Sequence, residues 1–581
     1  MSFEDIEVKD SPVHTSSSSQ ESIHEKDHTL FQRRHTDEEE SDLAALDQKK
    51  NGALEQQDVD RDEEKKVFGM RQKLFTLVWH GIAWLLFTAF FIVALVLDKG
   101  GPISVLSVLY AFTTLYLISA HVPDGTFARP TYAVWERSAK AVNSVPLLAR
   151  QVIGYGIWPV AMTLTAVIRP DNENGTRVQR VISLCGLAFF VFVLYITSRN
   201  RRVIHWPTVA TGLGLQFLLG LFVIRTYIGQ TIFSYIGALM ASFLGFSSSG
   251  IGFIMGDGFM NLYQTQFFAG VLPAIIFFGA VIQVMYYYNI IQTTIGSMGR
   301  VVVFIFEVSG VEVIAALAAP FVGMSESAML VGPYLENATN AEIHQVMASG
   351  FATISGSVYL GLITFGANPT HLITCCIMSV PCAIVTSKMR YPEEEVPLTR
   401  GKAVVLERPD AEDSMVHALA NGAILGIQLC IVISAVLIGF LSLLACGNYL
   451  INWVFVFLGV QGITIQKLIG WCFYPVAWGL GMPTSDLNDA STMMGIKFIL
   501  NEFVGFSEAA QFFATGTQRG IMLATFACCS FANPSSLGSQ ISLLGKMAPT
   551  RAGDIAKVSV SAIFAGALST IMSACIAGIV L

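Results

Sequence analysis

Charge is scarce in this chain. Of 581 residues, 13% are Asp, Glu, Lys or Arg and 53% are hydrophobic, and the mean hydropathy is +0.58. Several apolar runs reach the roughly 20 residues that cross a bilayer, so the chain reads as a polytopic membrane protein in a lipid bilayer. No cysteine precedes residue 181, and the ten that follow lie mostly in apolar runs. Cys375-Cys376 and Cys528-Cys529 lack metal-site spacing and read as packing residues, so no metal ligand is expected. There is no Gly-x-Ser-x-Gly elbow, which argues against a hydrolase; no catalytic residue and no enzymatic cofactor are expected. The first apolar run starts only at Leu74, so no signal peptide is expected.

The overall charge of −7 hides an asymmetry. Residues 1–66 hold 19 acidic and 9 basic residues, a net of −10, which leaves +3 for the remainder. With Ser16–Ser19, Asp37–Glu40 and four scattered histidines, residues 1–70 cannot bury enough apolar area to fold alone and read as a disordered cytoplasmic tail. No nucleic-acid partner is expected.

Apolar spans are expected at Leu74–Leu97, Pro102–Ala120, Val152–Ile168, Val181–Thr197 and Val203–Ile224. The basic loops 121–151 and 198–202 fall on one side if the N-terminus is cytoplasmic. The loop between them, 169–180, then lies outside, and it carries the glycosylation sequon Asn174-Gly175-Thr176. Residues 232–246 read as an amphipathic segment along the membrane, and Phe267–Tyr288 as the next span.

Beyond this point the apolar pattern breaks twice, in similar ways. Gly495–Phe506 puts Lys497, Asn501 and Glu502 at membrane depth, where charge is costly and usually functional. Phe321-Val322-Gly323-Met324-Ser325-Glu326 echoes Phe503-Val504-Gly505-Phe506-Ser507-Glu508 at an offset of 182. Phe351–Ser357 echoes Phe531–Leu537 at an offset of 180. A chance likeness between helices built from few residue types would explain one match. Two in the same order point to duplicated halves, the mark of a secondary transporter. The expected elements are re-entrant hairpins at about 312–332 and 490–508 and broken spans at 345–365 and 521–543. Further spans are expected at His371–Val385, 418–444, 468–482 and 558–581, with a polar loop at 387–414. Eleven full crossings with the two hairpins would leave the C-terminus outside. The fold class is therefore an all-α polytopic inverted-repeat transporter with two re-entrant hairpins and discontinuous helices.

Breaks at membrane depth free backbone groups that a polar solute or ion satisfies. The candidates are Ser325, Glu326, Thr353, Ser355, Asn501, Glu502, Asn533, Ser535 and Ser536. Two carboxylates, amides and hydroxyls suit a neutral, hydroxyl-rich solute better than an anion. For each Ser or Thr the plainer account is back-bonding to its own helix, and for the glutamates a structural ion pair. His371 reads as a structural or capping residue. A channel, a receptor without coupled uptake and an intramembrane hydrolase remain as other classes.

At these motifs the chain resembles the concentrative nucleoside transporter family, as a eukaryotic, fungal-like member. The family signature Gly/Ala-x-Lys-x3-Asn-Glu-Phe-Val-Ala-Tyr/Met/Phe is matched by Gly495, Lys497, Asn501, Glu502, Phe503, Val504 and Phe506, with Gly505 where Ala is usual. The Gly-Gln-Thr-Glu hairpin reads Gly323-Met324-Ser325-Glu326, and the Phe-Ala-Asn-x-x-Ser element reads Phe531–Ser536. The likeness runs from about residue 181 to 581 as a transporter core, and residues 71–180 look like three extra N-terminal helices. It implies a homotrimer of elevator type in the plasma membrane, moving nucleosides. Met324, Ser325, Glu326 and Val358 would lie near the base, and Glu502, Asn533 and Ser536 would hold the ribose with Phe531 beside them.

Two departures from the family pattern bear on specificity and coupling. Met324 removes an amide from the base side and gives a weak purine lean. Ala319 stands where sodium-coupled relatives place an Asn, while Thr353 keeps a hydroxyl at another sodium position. The expectation is therefore concentrative symport with protons, H+ being carried by Glu326 because desolvation disfavours a charged carboxylate. The alternative is Na+ held by Thr353 and backbone carbonyls.

Overall fold

A computed structural model describes residues 77–97, scattered positions between 106 and 117, and 147–581 apart from 173–174, 257, 259–266, 400–412 and 461; for 147–155 it describes the backbone alone. The expected tail, most of the 102–120 run, residues 121–146 of the expected loop and Asn174 lie outside these residues, and 147–151, expected as loop, are helical. The chain divides into two units, Met1–His121 and Val122–Leu581. In the first, helix α1 (Leu77–Leu97) carries Trp84, whose Nε1 donates to Thr114 Oγ1 at 3.0 Å, and Phe91, which stacks on Tyr110.

The second unit is built of helices and their connections, and no named strand occurs among its described residues. It opens with α2 (Leu147–Ile168), α3 (Arg177–Thr197) and α4 (Trp206–Arg225). Helices α5 (Tyr227–Gly245) and α6 (Ser247–Met255) run on with only Phe246 between them. Together they make a 29-residue apolar stretch, long enough by length and composition to cross a membrane, where a shorter in-plane segment was expected. A widened turn, Phe267–Val271, leads into α7 (Leu272–Tyr287). Next comes α8 (Ile290–Phe306), which the sequence reading missed because Gln292, Thr293, Thr294 and Arg300 interrupt its hydropathy.

The first hairpin is α9 (Gly310–Val322) and α10 (Met324–Leu330), followed by α11 (Asn340–Phe351), α12 (Gly356–Thr364) and α13 (Pro369–Arg390). Then follow α14 (Met415–Val456), 42 residues in one helix, and α15 (Ile465–Gly479). The second hairpin is α16 (Leu487–Ile499) and α17 (Glu502–Glu508), succeeded by α18 (Ala510–Thr515), α19 (Gln518–Cys528), α20 (Pro534–Met547) and α21 (Ala552–Val580). Both hairpins thus begin two or three residues earlier than expected. Nine helices among the described residues are long and apolar enough to cross a membrane. The 468–482 run, expected as a crossing, is the 15-residue α15 and falls short of that length.

Local chemistry fixes the helix starts. Ser309 with Glu312, and Thr339 with Glu342, form reciprocal capping boxes at α9 and α11. Thr517 caps α19, and Asn501 and Asn533 cap α17 and α20.

Helices α9, α16, α11 and α19 start at 310, 487, 340 and 518, and their continuations α10, α17, α12 and α20 at 324, 502, 356 and 534. Corresponding elements are therefore 177 or 178 positions apart, which shows the duplication. It also corrects its register, since the residue echoes sat at 182 and 180. Glu508 is not the counterpart of Glu326: it ends α17, exposed, whereas Glu326 stands in the first turn of α10.

Helices α9, α11, α13, α19 and α21 are buried over most of their length. Outside this core α7 and α14 pack against each other through glycines. A Cβ on Gly422 would stand 2.4 Å from the Gly279 carbonyl oxygen, and one on Gly426 would stand 2.7 Å from Ile276 Cα. Small residues of this kind let membrane helices approach backbone to backbone. Away from that seam α14 leaves large apolar side chains exposed, among them Leu425, Ile431, Ile438 and Leu443.

Candidate functional site

Both hairpins turn at positions where backbone geometry forbids a continuous helix. In the first, Pro320 and Gly323 fall within four residues, and Gly323 adopts φ +108°. That region suits glycine alone. A Cβ here would also lie 2.9 Å from Ser355 Cβ and 3.1 Å from Glu326 Oε2. The turn is therefore pressed against the break between α11 and α12. In the second hairpin, Leu500 and Asn501 leave helical geometry, and Asn501 Oδ1 accepts from Val504 N at 2.9 Å.

The two broken helices meet directly. Phe531 N donates to the carbonyl of Thr353 at 3.1 Å, joining the α19–α20 break to the α11–α12 break. Thr353 turns its own hydroxyl to the Ile354 carbonyl at 3.2 Å, and Ser355 Oγ lies 2.6 Å from Ser357 Oγ. The second hairpin ties into the same junction. Asn533 Nδ2 donates to Glu502 Oε2 at 2.9 Å, while Asn533 Oδ1 accepts from Ser536 N at 2.9 Å. Lys497 Nζ reaches Ser530 Oγ and, at 3.3 Å, the Ala532 carbonyl, and it lies 3.9 Å from the centroid of the Phe498 ring.

Glu326, Ser355, Thr353, Phe531, Asn533, Glu502 and Ser536 are thus linked in one chain of neighbours. Thr353, Ser355, Val358, Glu502, Phe531, Asn533 and Ser536 are buried, and Met324, Ser325 and Glu326 half-buried. Met324 borders α11, since its Cβ lies 2.9 Å from where a Cβ on Gly350 would sit. Ser535, also a candidate, is half-buried outside the hydrogen-bonded set. Ala319 is fully buried and contributes its carbonyl to the Gly323 N–H at 3.0 Å. His371 stands in the first turn of α13, consistent with a structural part.

Sequence reading missed Ser530, the partner of Lys497, and Gln540. The latter follows Ser536 by four positions, so helical spacing was a usable signal for it.

A family model described as the C-terminus of Na+ dependent nucleoside transporters matches residues 371–578, and its N-terminal companion matches 185–258. The first hairpin and first broken helix lie between the two matches. Sodium/nucleoside cotransporter 1 of Oryctolagus cuniculus is 35% identical over 422 residues, covering 70% of this chain and 64% of that protein. Sodium/nucleoside cotransporter 2 of Rattus norvegicus is 31% identical over 526 residues, 87% of this chain and 77% of that protein. Among solved structures, a transporter named CNTnw in an inward-facing substrate-bound state superposes with a TM-score of 0.64 at 30% identity, covering 69% of this chain and 97% of that one. A double variant of CNTnw in an outward-facing state gives 0.66 at 29% identity, covering 70% and 99%. The fold is that of the inverted-repeat, elevator-type transporters. The duplicated hairpins, the paired helix breaks and these likenesses together make the chain a member of the concentrative nucleoside transporter family.

Proposed function

We propose that the protein is an ion-coupled symporter that concentrates nucleosides across a membrane. The observation that carries this reading is the buried Glu502–Asn533 pair where the second hairpin meets a broken helix. A carboxylate accepts from paired hydroxyls, and an amide both donates and accepts, which is the chemistry a ribose needs. Glu502, Asn533 and Ser536, with Phe531, form the ribose side of this reading. Met324, Ser325, Glu326 and Val358 form the base side, with the purine lean resting on Met324.

Sodium is the coupling ion that the relatives favour, since those named above are sodium/nucleoside cotransporters. That moves the reading away from protons. Thr353, beside the helix break, is the side-chain oxygen available to such an ion. One observation supports proton coupling as the second reading. Ala319 offers a buried methyl where a side-chain ligand was sought, and Glu326 would then carry the proton.

The reading extends to a homotrimer, supported by the family resemblance and by the exposed apolar side of α14. It further includes an elevator movement of the hairpins and broken helices, a plasma-membrane location with a cytoplasmic N-terminus, and the division into a tail (1–70), extra helices (71–180) and a transporter core (181–581). Uptake of a nucleoside panel into vesicles, with sodium and pH varied independently, tests it. Concentrative, sodium-stimulated uptake of nucleosides is expected, without uptake of free bases or nucleotides. Equilibration without accumulation would leave a channel instead.

A further inference from the structure

Helix α20 buries one stripe, Ser536, Gln540 and Leu544, each a turn beyond the last. Gln540 is 1% exposed, yet neither its Nε2 nor its Oε1 has a hydrogen-bond partner among the described residues. Buried amides are almost always paired, and one with both ends open needs an explanation from outside the chain. Its position supplies one. Gln540 Nε2 lies 2.8 Å from the point a Cβ on Gly350 would occupy, and Met324 Cβ lies 2.9 Å from that same point. The amide and Met324 therefore both border the same face of Gly350, one turn beyond Ser536, beside the junction of hairpin and broken helices. A Cβ at Gly350 would meet the Gln540 amide and the start of α10 together.

We infer that Gln540 is a specificity-determining residue of the transport site, whose side-chain amide pairs with a nucleobase edge that presents a donor and an acceptor side by side. An amide matches such an edge with two parallel hydrogen bonds. Met324, which borders the same point on Gly350, has no hydrogen bond of this kind to offer, so Gln540 supplies the polar readout of the base. This inference rests on the nucleoside reading above.

The test compares uptake of two substrate pairs in vesicles. They are adenosine against purine riboside, which lacks the exocyclic amine, and uridine against pyrimidin-2-one riboside, which lacks the 4-oxygen. In the wild type, Vmax/KM is expected to favour the complete base at least tenfold in the pair the protein accepts. In Gln540→Met, which keeps length and apolar packing, that ratio should fall within about threefold of unity through a raised KM for the complete base alone. An equal loss for both members, or an unchanged ratio, overturns the inference. If Gln540→Met does not reach the membrane, Gln540→Glu and the wild-type ratio decide. A wild type indifferent to the exocyclic group, or a Gln540→Glu that keeps the wild-type ratio, overturns it equally. Absence of any nucleoside uptake by the wild type would instead overturn the transport reading, and this assignment with it.

Discussion

Asn533 uses both ends of its side chain at once: Nδ2 donates to Glu502 Oε2 at 2.9 Å while Oδ1 accepts from the backbone N–H of Ser536 at 2.9 Å. One residue therefore starts α20 and orients the carboxylate of the second hairpin. Capping and site geometry are coupled through a single amide.

Coupling of this kind makes the two substitutions non-additive. Glu502→Ala and Asn533→Ala should each reduce nucleoside uptake at least tenfold, and the double variant should lose little more. Asn533→Ala additionally removes a helix cap, about 1 kcal/mol of stability. Uptake rates and thermal unfolding of the four proteins in the cycle separate the two effects. Purely additive losses would contradict the shared role.

Gly505 occupies a position where the family commonly has Ala. Here a Cβ at 505 would lie 2.9 Å from Lys497 Cβ and 3.2 Å from its Cα and N, against backbone that cannot swing aside. Gly505→Ala should therefore destabilise the protein by about 1–3 kcal/mol through overpacking. The expected readout is a lowered midpoint of thermal unfolding in detergent, with the substrate preference of the surviving protein unchanged.

Gly323→Ala should cost transport more than folding. The substitution meets a left-handed backbone and collides with Ser355 Cβ, so the hairpin tip must shift away from the first helix break. An uptake loss of at least tenfold is expected, with surface expression retained. Wild-type uptake would mean that the tip does not contribute to the site.

The coupling ion follows from uptake measured between pH 5 and 8 in sodium and in choline. Sodium stimulation at every pH is expected, and Ala319→Asn should lower the sodium concentration giving half-maximal uptake by adding a side-chain oxygen. Acid-stimulated uptake that ignores sodium and is lost in Glu326→Gln would establish the proton reading instead.

Much of this architecture was legible in the sequence. Apolar runs gave the spans, and the capping pairs Ser309–Glu312 and Thr339–Glu342 stand in the chain as Ser/Thr-x-x-Glu. The paired breaks showed as Gly, Pro and Ser within apolar sequence. What failed was register. Residue likeness between Glu326 and Glu508 reflected similar composition, whereas the structural repeat keeps element starts 177 or 178 positions apart. Helix α8 escaped notice because its polar residues lower its hydropathy. Gln540 was hidden for another reason. Spacing from Ser536 places it on the site-facing side of α20, but an unpaired amide is a property of three-dimensional surroundings that spacing does not reveal.

The hydrogen bond that ties the two helix breaks together is made of main chain. Phe531 N donates to the Thr353 carbonyl, so any amino acid at 353 and nineteen of the twenty at 531 leave that bond chemically available. Evolution can therefore retune the side chains of both breaks, and with them the cargo, while the seam itself is inherited untouched. Proline at 531 is the single coded exception, because it has no N–H to give. Phe531→Pro should uncouple the halves in a way that Phe531→Leu does not.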